Sequence, residues 1–124
     1  MKKHAGFTLI ELVAVLVILA LLGAMAVPRF VDVSNDALTA AKNGSEAAVR
    51  TAQSMAIAKL KRAPQLSELI NYVGGQNVAV DPAGKGIQVT INSVAYVVPT
   101  YTDTTCSTAT GAPGDTVNCV GSIP

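Results

Sequence analysis

The feature that most constrains this chain is a long apolar run near its N-terminus, Phe7–Val27, which contains one charged residue, Glu11. A helix of this length reaches roughly 32 Å, enough to cross the hydrocarbon core of a bilayer. Lys2 and Lys3 precede the run, and basic residues on that side favour a cytoplasmic N-terminus. The sequence therefore predicts a membrane-spanning helix whose single carboxylate needs an explanation.

Three interpretations of this segment fit the sequence. A cleaved secretory signal agrees with the basic start and with the A-x-A pattern at Ala24–Ala26, but the apolar run is longer than usual. A plain membrane anchor leaves Glu11 unexplained, because a charge deep in the membrane costs roughly 2.5–3.5 kcal/mol. In the third interpretation the chain is cut between Gly6 and Phe7, and Glu11 neutralises the new α-amino group of a neighbouring subunit. Subunits out of register would then leave two charges unmatched.

The residues around that cut resemble a known processing signal. Gly6-Phe7-Thr8-Leu9-Ile10-Glu11, after a short basic leader and before a long apolar run, is similar to the type III signal of type IV pilins and pseudopilins. The resemblance implies cleavage after Gly6 by a prepilin peptidase, N-methylation of Phe7, and assembly aided by Glu11. A narrower similarity, over Pro28–Ala37, is to pilins of the mannose-sensitive haemagglutinin type.

The resemblance also implies a location and partners. The chain would first lie in the inner membrane as a single-pass prepilin, and would then enter an extracellular helical homopolymer. An inner-membrane assembly platform and ATPases would drive that step. A host surface or DNA is a further candidate partner, since such filaments serve adhesion, motility or DNA uptake.

A soft segment is expected within the long helix, at Gly23 and Pro28. Pro28 cannot donate a backbone hydrogen bond and its ring clashes with the preceding turn, and Gly23 is a weak helix former. In the family that the chain resembles, the matching proline kinks the helix. The predicted organisation is a cleaved leader, residues 1–6, a transmembrane and filament-core helix, residues 7–28, and a globular head, residues 29–124.

The head begins with an amphipathic continuation of the helix. Apolar and small residues recur there at three- and four-residue steps: Leu38, Ala41, Ser45, Ala48, Val49, Ala52, Met55, Ala56 and Leu60. Packing against the chain's own sheet and packing against neighbouring helices both fit this pattern. The helix closes with Lys59, Lys61 and Arg62, whose charges suit a helix C-terminus. An alternative is a basic patch that binds acidic residues of a neighbour, or DNA.

A short helix and three strands are expected after Pro64. Leu66, Leu69, Ile70 and Val73 form one apolar helical face, ended by Gly74-Gly75. Strands are predicted at Val78–Val80, Ile87–Ile91 and Val94–Val98, with Asn92-Ser93 as a two-residue turn and Pro99 as the limit. The predicted fold class is α+β: a long N-terminal helix, half transmembrane and half amphipathic, packed on a small antiparallel sheet, as in type IV pilins.

Two cysteines, Cys106 and Cys119, bracket a segment rich in Thr, Ser, Gly and Pro that would be mobile unless tied down. In an extracytoplasmic protein we expect them to form a disulfide. Free thiols or a redox pair are the alternatives, although the spacing is too wide for a Cys-x-x-Cys motif. The resemblance implies the pairing, because type IV pilins have a disulfide-bounded C-terminal loop, which here is 106–119.

Charge and composition argue against an enzyme and against a general nucleic-acid binder. The formal net charge is +1, and removing Lys2 and Lys3 from nine basic residues leaves seven against eight acidic ones. The one histidine, His4, lies in the leader, so no histidine-based catalytic or metal centre can form in a processed chain. No cofactor or metal is expected.

Three functions remain open. The first is a structural subunit of a type IV pilus. The second is a pseudopilin of a type II secretion system, in a short periplasmic filament. Major pseudopilins usually carry a C-terminal calcium site, whereas Asp81, Asp103 and Asp115 are not clustered here. The third is a monomeric anchored or secreted binding domain that uses the Thr-rich loop as its contact.

Overall fold

The computed structural model describes residues 5–124, apart from the side chains of residues 27–31. It divides into two compact units, one ending at Ala37 and the other Leu38–Pro124. The helices are α1, Leu9–Leu60, and α2, Leu66–Leu69; the strands are β1, Val78–Val80, β2, Gly86–Ile91, β3, Val94–Tyr101, and β4, Cys119–Val120. The predicted α+β class, with a long N-terminal helix and a small antiparallel sheet, is confirmed.

The first unit contains the apolar start of α1. Leu9–Ala26 has a mean hydropathy of 2.8 and none of it is buried, so by length and composition it can cross a membrane. Gly23 leaves an open notch, because no atom lies within 4 Å of a Cβ built there. The helix continues through Pro28, but the side chain of Pro28 lies outside the described residues, and the kink stays a prediction.

In the second unit, the amphipathic part of α1 buries a narrower stripe than the sequence pattern predicts. Val49, Ala52 and Ala56 are fully buried. Ala48 is exposed and Met55 is 49% exposed, so these two residues do not pack on the chain's own sheet, and packing against neighbouring helices stays a prediction for them. Each precedes a buried residue, and one step along a helix turns the side chain by about 100°. Both therefore lie on the rim of the buried stripe.

The short helix α2 places its apolar face in the core, as predicted. Leu66 and Leu69 are fully buried and Val73 is 9% exposed. The α-helix ends at Leu69, earlier than expected, because the amides of Asn71 and Tyr72 bond to carbonyls three residues back, at 3.1 and 3.0 Å. The tighter turn still carries Val73 onto the same face.

The sheet is an antiparallel meander in the order β1-β2-β3-β4. Val80 pairs with Ile87, and Ile87 pairs in turn with Val98. Ile87 and Val89 are buried on one face of β2 while Thr90 is exposed, which confirms the predicted alternation. The turn between β2 and β3 is Asn92-Ser93, whose positive φ angles of 51° and 65° are those of a primed two-residue hairpin turn.

Strand β3 continues beyond Pro99, where the sequence predicts its limit. Pro99 lacks an amide hydrogen, but its carbonyl accepts from the amide of Gly121 at 2.8 Å. The next amide, that of Thr100, donates to the carbonyl of Lys85 at 3.1 Å. Because the Pro99 carbonyl and the Thr100 amide are both hydrogen-bonded, the strand continues to Tyr101. There it pairs with β4, a strand that the sequence did not predict.

One core joins these elements. Its buried residues come from α1, from the α2 region, from strands β2, β3 and β4, and from the C-terminal loop: Val49, Ala52, Leu66, Leu69, Val73, Ile87, Val89, Val98, Val117 and Val120. The sheet therefore covers the alanine-rich stripe of α1, as predicted. The contribution of Val117 is new, because the loop was expected to bury little.

Candidate assembly site and surface loop

The residues predicted to be cut and modified are accessible. Helix α1 begins at Leu9, so Gly6 and Phe7 precede it in non-helical backbone. Phe7 is 93% exposed, and nothing lies within 4 Å of a Cβ built on Gly6. A peptidase can therefore reach this peptide bond without unwinding the helix. Cleavage and methylation themselves stay predictions.

Glu11 forms a reciprocal pair with Thr8 at the start of α1. The amide of Thr8 donates to the Glu11 carboxylate at 3.0 Å, and the amide of Glu11 donates to the Thr8 hydroxyl at 3.3 Å. This is a capping box, in which two amides that the helix leaves unpaired are satisfied. Glu11 thus has a local structural role that the sequence reasoning missed, although Thr8-x-x-Glu11 was visible as its pattern.

The capping box holds the Glu11 carboxylate close to Phe7, the predicted start of the processed chain. Its bond to the Thr8 amide places the carboxylate one residue beyond Phe7, the residue predicted to carry the new amino group. The wider surface around it, formed by Phe7, Glu11, Leu12 and Val15, is open and mostly apolar. The pairing of Glu11 with the amino terminus of a neighbouring copy stays a prediction.

The predicted disulfide between Cys106 and Cys119 is present, with the two Cα atoms 5.5 Å apart. Cys119 lies in β4, which pairs with the end of β3. Cys106 has a φ of 57°, a left-handed conformation that is uncommon for a residue with a Cβ. The disulfide therefore ties the start of this irregular loop to β4, at the edge of the sheet.

A network around Asp103 gives this loop its shape. Its carboxylate accepts from the amide and the hydroxyl of Ser107, from the amide of Thr108 at 2.7 Å, and from the hydroxyl of Thr105. The hydroxyls of Ser107 and Thr105 and the Thr108 amide hold the pKa of Asp103 well below its usual range. The segment expected to be mobile is thus ordered by a charged carboxylate as well as by the disulfide.

The other two aspartates that the sequence analysis singled out are used in the same local way. Asp115 accepts from the amides of Gly111 and Ala112 at 2.8 and 3.0 Å, and Asp81 accepts from the amide of Lys85 at 3.2 Å. In the part of the chain that the structure describes, no group of three His, Cys, Asp or Glu side chains is placed to hold a metal ion.

Polar side chains of α1 hold the C-terminal segment. The buried carboxylate of Glu46 accepts from the amide of Ile123 at 2.7 Å and lies 3.6 Å from Arg50. Gln53 donates to the carbonyl of Val117 at 3.1 Å. The sequence predicted the Glu46–Arg50 pair from its i,i+4 spacing, but it did not predict that Glu46 is buried under the chain's end.

The basic residues at the end of α1 have different environments. Arg62 forms two hydrogen bonds to Glu68, at 2.9 and 2.6 Å, which lower the pKa of Glu68 together with the Gln65 amide. The ammonium of Lys59 lies 5.8 Å from the centre of the Tyr72 ring. Lys61, just past the helix, is exposed. One of the three predicted cations is therefore neutralised within the chain.

Comparisons with known proteins agree with the N-terminal pattern. A family model described as the prokaryotic N-terminal methylation motif matches residues 1–27. The type IV narrow pilus major component PilA5 of Thermus thermophilus is 45% identical over 74 residues, which is 59% of this chain and 64% of that protein. The chain thus spans slightly less than two thirds of that relative's length. No solved structure matches. Both matches confirm the family resemblance inferred from Gly6–Glu11.

Proposed function

We propose that this chain, a relative of type IV pilins, is a structural subunit that polymerises through its apolar N-terminal helix into a surface pilus. The observation that carries the proposal is the pairing of an accessible Gly6-Phe7 bond with the Glu11 carboxylate, at the head of a helix whose apolar face is wholly uncovered. A membrane covers that face before assembly, and other copies of the helix cover it afterwards.

The processing partners follow from the same residues. A prepilin peptidase cuts after Gly6 and the amino group of Phe7 is methylated. The product leaves the inner membrane through an assembly platform and its ATPases, and becomes part of an extracellular filament. The type IV pilus relative and the methylation motif support this order of events.

The competing functions have less support. A pseudopilin with a terminal calcium site would need clustered acidic ligands, but Asp81, Asp103 and Asp115 each bind amides of their own loops. A monomeric anchored domain would use the apolar helix as its anchor, but it would not need the N-terminal methylation motif. The relative is itself a pilus component.

The first test is direct. Filaments sheared from cells that make this chain are imaged, and their N-terminal peptides are analysed by mass spectrometry. We expect the chain in extracellular filaments, starting at methylated Phe7. A mature chain that starts at Val27, or that keeps Met1 and stays solitary in the membrane, would contradict the proposal.

The second test separates the two roles of Glu11. Glutamine can replace glutamate in a capping box, because its side-chain oxygen also accepts from the Thr8 amide. Glu11→Gln therefore keeps the helix cap and removes the charge. If charge pairing with the neighbour's amino group drives assembly, Glu11→Gln and Glu11→Ala both insert in the membrane but form no filaments.

Thr8→Ala is the matched control, since it removes the hydroxyl half of the cap and keeps the Glu11 charge. We expect it to assemble, with a cap loss of about 1 kcal/mol. The opposite result, in which Glu11→Gln assembles normally while Thr8→Ala and Glu11→Ala fail, would show that Glu11 acts only as a helix cap. In that case the electrostatic account of assembly is wrong.

A further inference from the structure

Two lysines at the end of α1 keep a positive charge that no carboxylate of the described residues neutralises. The salt bridges within those residues join Arg50 to Glu46 and Arg62 to Glu68. The ammonium of Lys59 lies over the Tyr72 ring, and Lys61 is exposed beyond the helix. We call Lys59 and Lys61 the basic tip.

A complementary surface lies in the other unit of the same chain. Asp32 and Asp36 are exposed and four residues apart, and therefore lie on one face of α1. Neither forms a salt bridge within the described residues. We call Asp32 and Asp36 the acidic pair.

We propose that the basic tip of one copy binds the acidic pair of a neighbouring copy in the filament, an inference that rests on the proposed function. The two surfaces are different parts of one chain, so each copy uses one surface on each of two neighbours. Such a head-to-tail contact can propagate into an open filament when its rotation does not close a ring, whereas a patch that pairs with itself stops at a dimer.

A second copy explains the basic tip better than DNA does. Sequence-independent DNA binding needs several phosphates neutralised along a basic stripe. Arg62 is held by Glu68, so the basic tip offers two lysines to phosphates. Two lysines equal two aspartates in number and are opposite in sign.

Charge exchange between the two surfaces is the experiment. Two double variants are made in the full chain: Lys59→Glu/Lys61→Glu and Asp32→Lys/Asp36→Lys. A third variant combines all four changes. Lys85→Glu is the matched control, since Lys85 is an exposed lysine in the turn between β1 and β2. Filament yield by electron microscopy is divided by the amount of processed subunit in the membrane.

We expect each double variant to lower the normalised filament yield about tenfold, because two attractions become repulsions in every subunit. The four-residue exchange restores it, and Lys85→Glu leaves it unchanged. Added salt should lower the filament yield of the unmodified chain and of the four-residue exchange, because it screens their attraction. It should raise the yield of the two double variants, because it screens their repulsion. A yield of Lys59→Glu/Lys61→Glu equal to that of Lys85→Glu overturns the proposal, and so does an exchange that restores nothing.

A crosslinking experiment tests the contact without reversing any charge, so a change of membrane orientation cannot explain its result. Asp36→Cys and Lys61→Cys are placed on separate co-expressed copies, and oxidised filaments are examined for a mixed dimer. Its formation supports the contact, and its absence from intact filaments overturns it. If the Lys59→Glu/Lys61→Glu filaments are normal but bind less duplex DNA, the tip serves DNA instead. The absence of this chain from any filament would contradict the proposed function, not this contact alone.

Discussion

Loss of the Cys106–Cys119 disulfide should destabilise the outer edge of the head by a calculable amount. The two cysteines are separated by 13 positions in the sequence. In the chain-entropy model, closing a loop of that size removes about 3 kcal/mol of conformational freedom from the unfolded state. The Cα separation of 5.5 Å is within the usual range for a disulfide, so the full amount is expected.

The assay compares the unmodified chain with Cys106→Ser/Cys119→Ser, both as full-length protein in detergent. Denaturant unfolding of the head should give a free energy lower by about 3 kcal/mol in the variant. Hydrogen exchange shows which part of the head loses stability. The amide of Thr102 donates to the carbonyl of Thr108, and the amide of Asn118 donates to the carbonyl of Tyr101, each at 2.9 Å. Both amides should exchange faster in the variant. The amide of Thr108 should change less, because Asp103 still accepts from it.

Two results would refute this reasoning. A loss below about 1 kcal/mol would mean that the Asp103 network orders the loop without the disulfide. Mass spectrometry that finds both thiols free in purified filaments would remove the disulfide from the account altogether.

Three other perturbations test the head. Because the fold lowers the pKa of Asp103, its contribution to the free energy of unfolding is complete above its unfolded pKa of about 3.9 and is lost as the pH falls below that value. In a plot of the denaturation midpoint against pH, Asp103→Asn should therefore make the decrease at acid pH less steep. Leu66→Ala should cost about 2–5 kcal/mol in denaturant unfolding because Leu66 is fully buried, while Met55→Ala, at a 49% exposed residue, should stay within about 0.5 kcal/mol. Gly84→Ala should lower the melting temperature, because φ is 69° and the new Cβ would lie 2.6 Å from a backbone nitrogen; Gly74→Ala, with open space, is the control.

What the sequence determined follows local rules. The membrane helix depends on an uninterrupted apolar run, the hairpin on Asn92-Ser93, and the strand faces on a two-residue alternation. The processing motif and the two cysteines are equally local, since each is recognised from spacing or from short context. Thr8-x-x-Glu11 belongs to this class too, because a capping box is a contact between residues three apart. It could have been predicted and was overlooked.

Only the tertiary structure decided which polar groups are buried and which irregular segments are ordered. Glu46 is buried because the amide of Ile123, 77 positions away, donates to it. Strand β3 passes Pro99 because Gly121 and Lys85 supply the neighbouring hydrogen bonds. Local propensity depends on residues a few positions apart. These outcomes depend on partners that distant parts of the chain bring together only when the core forms.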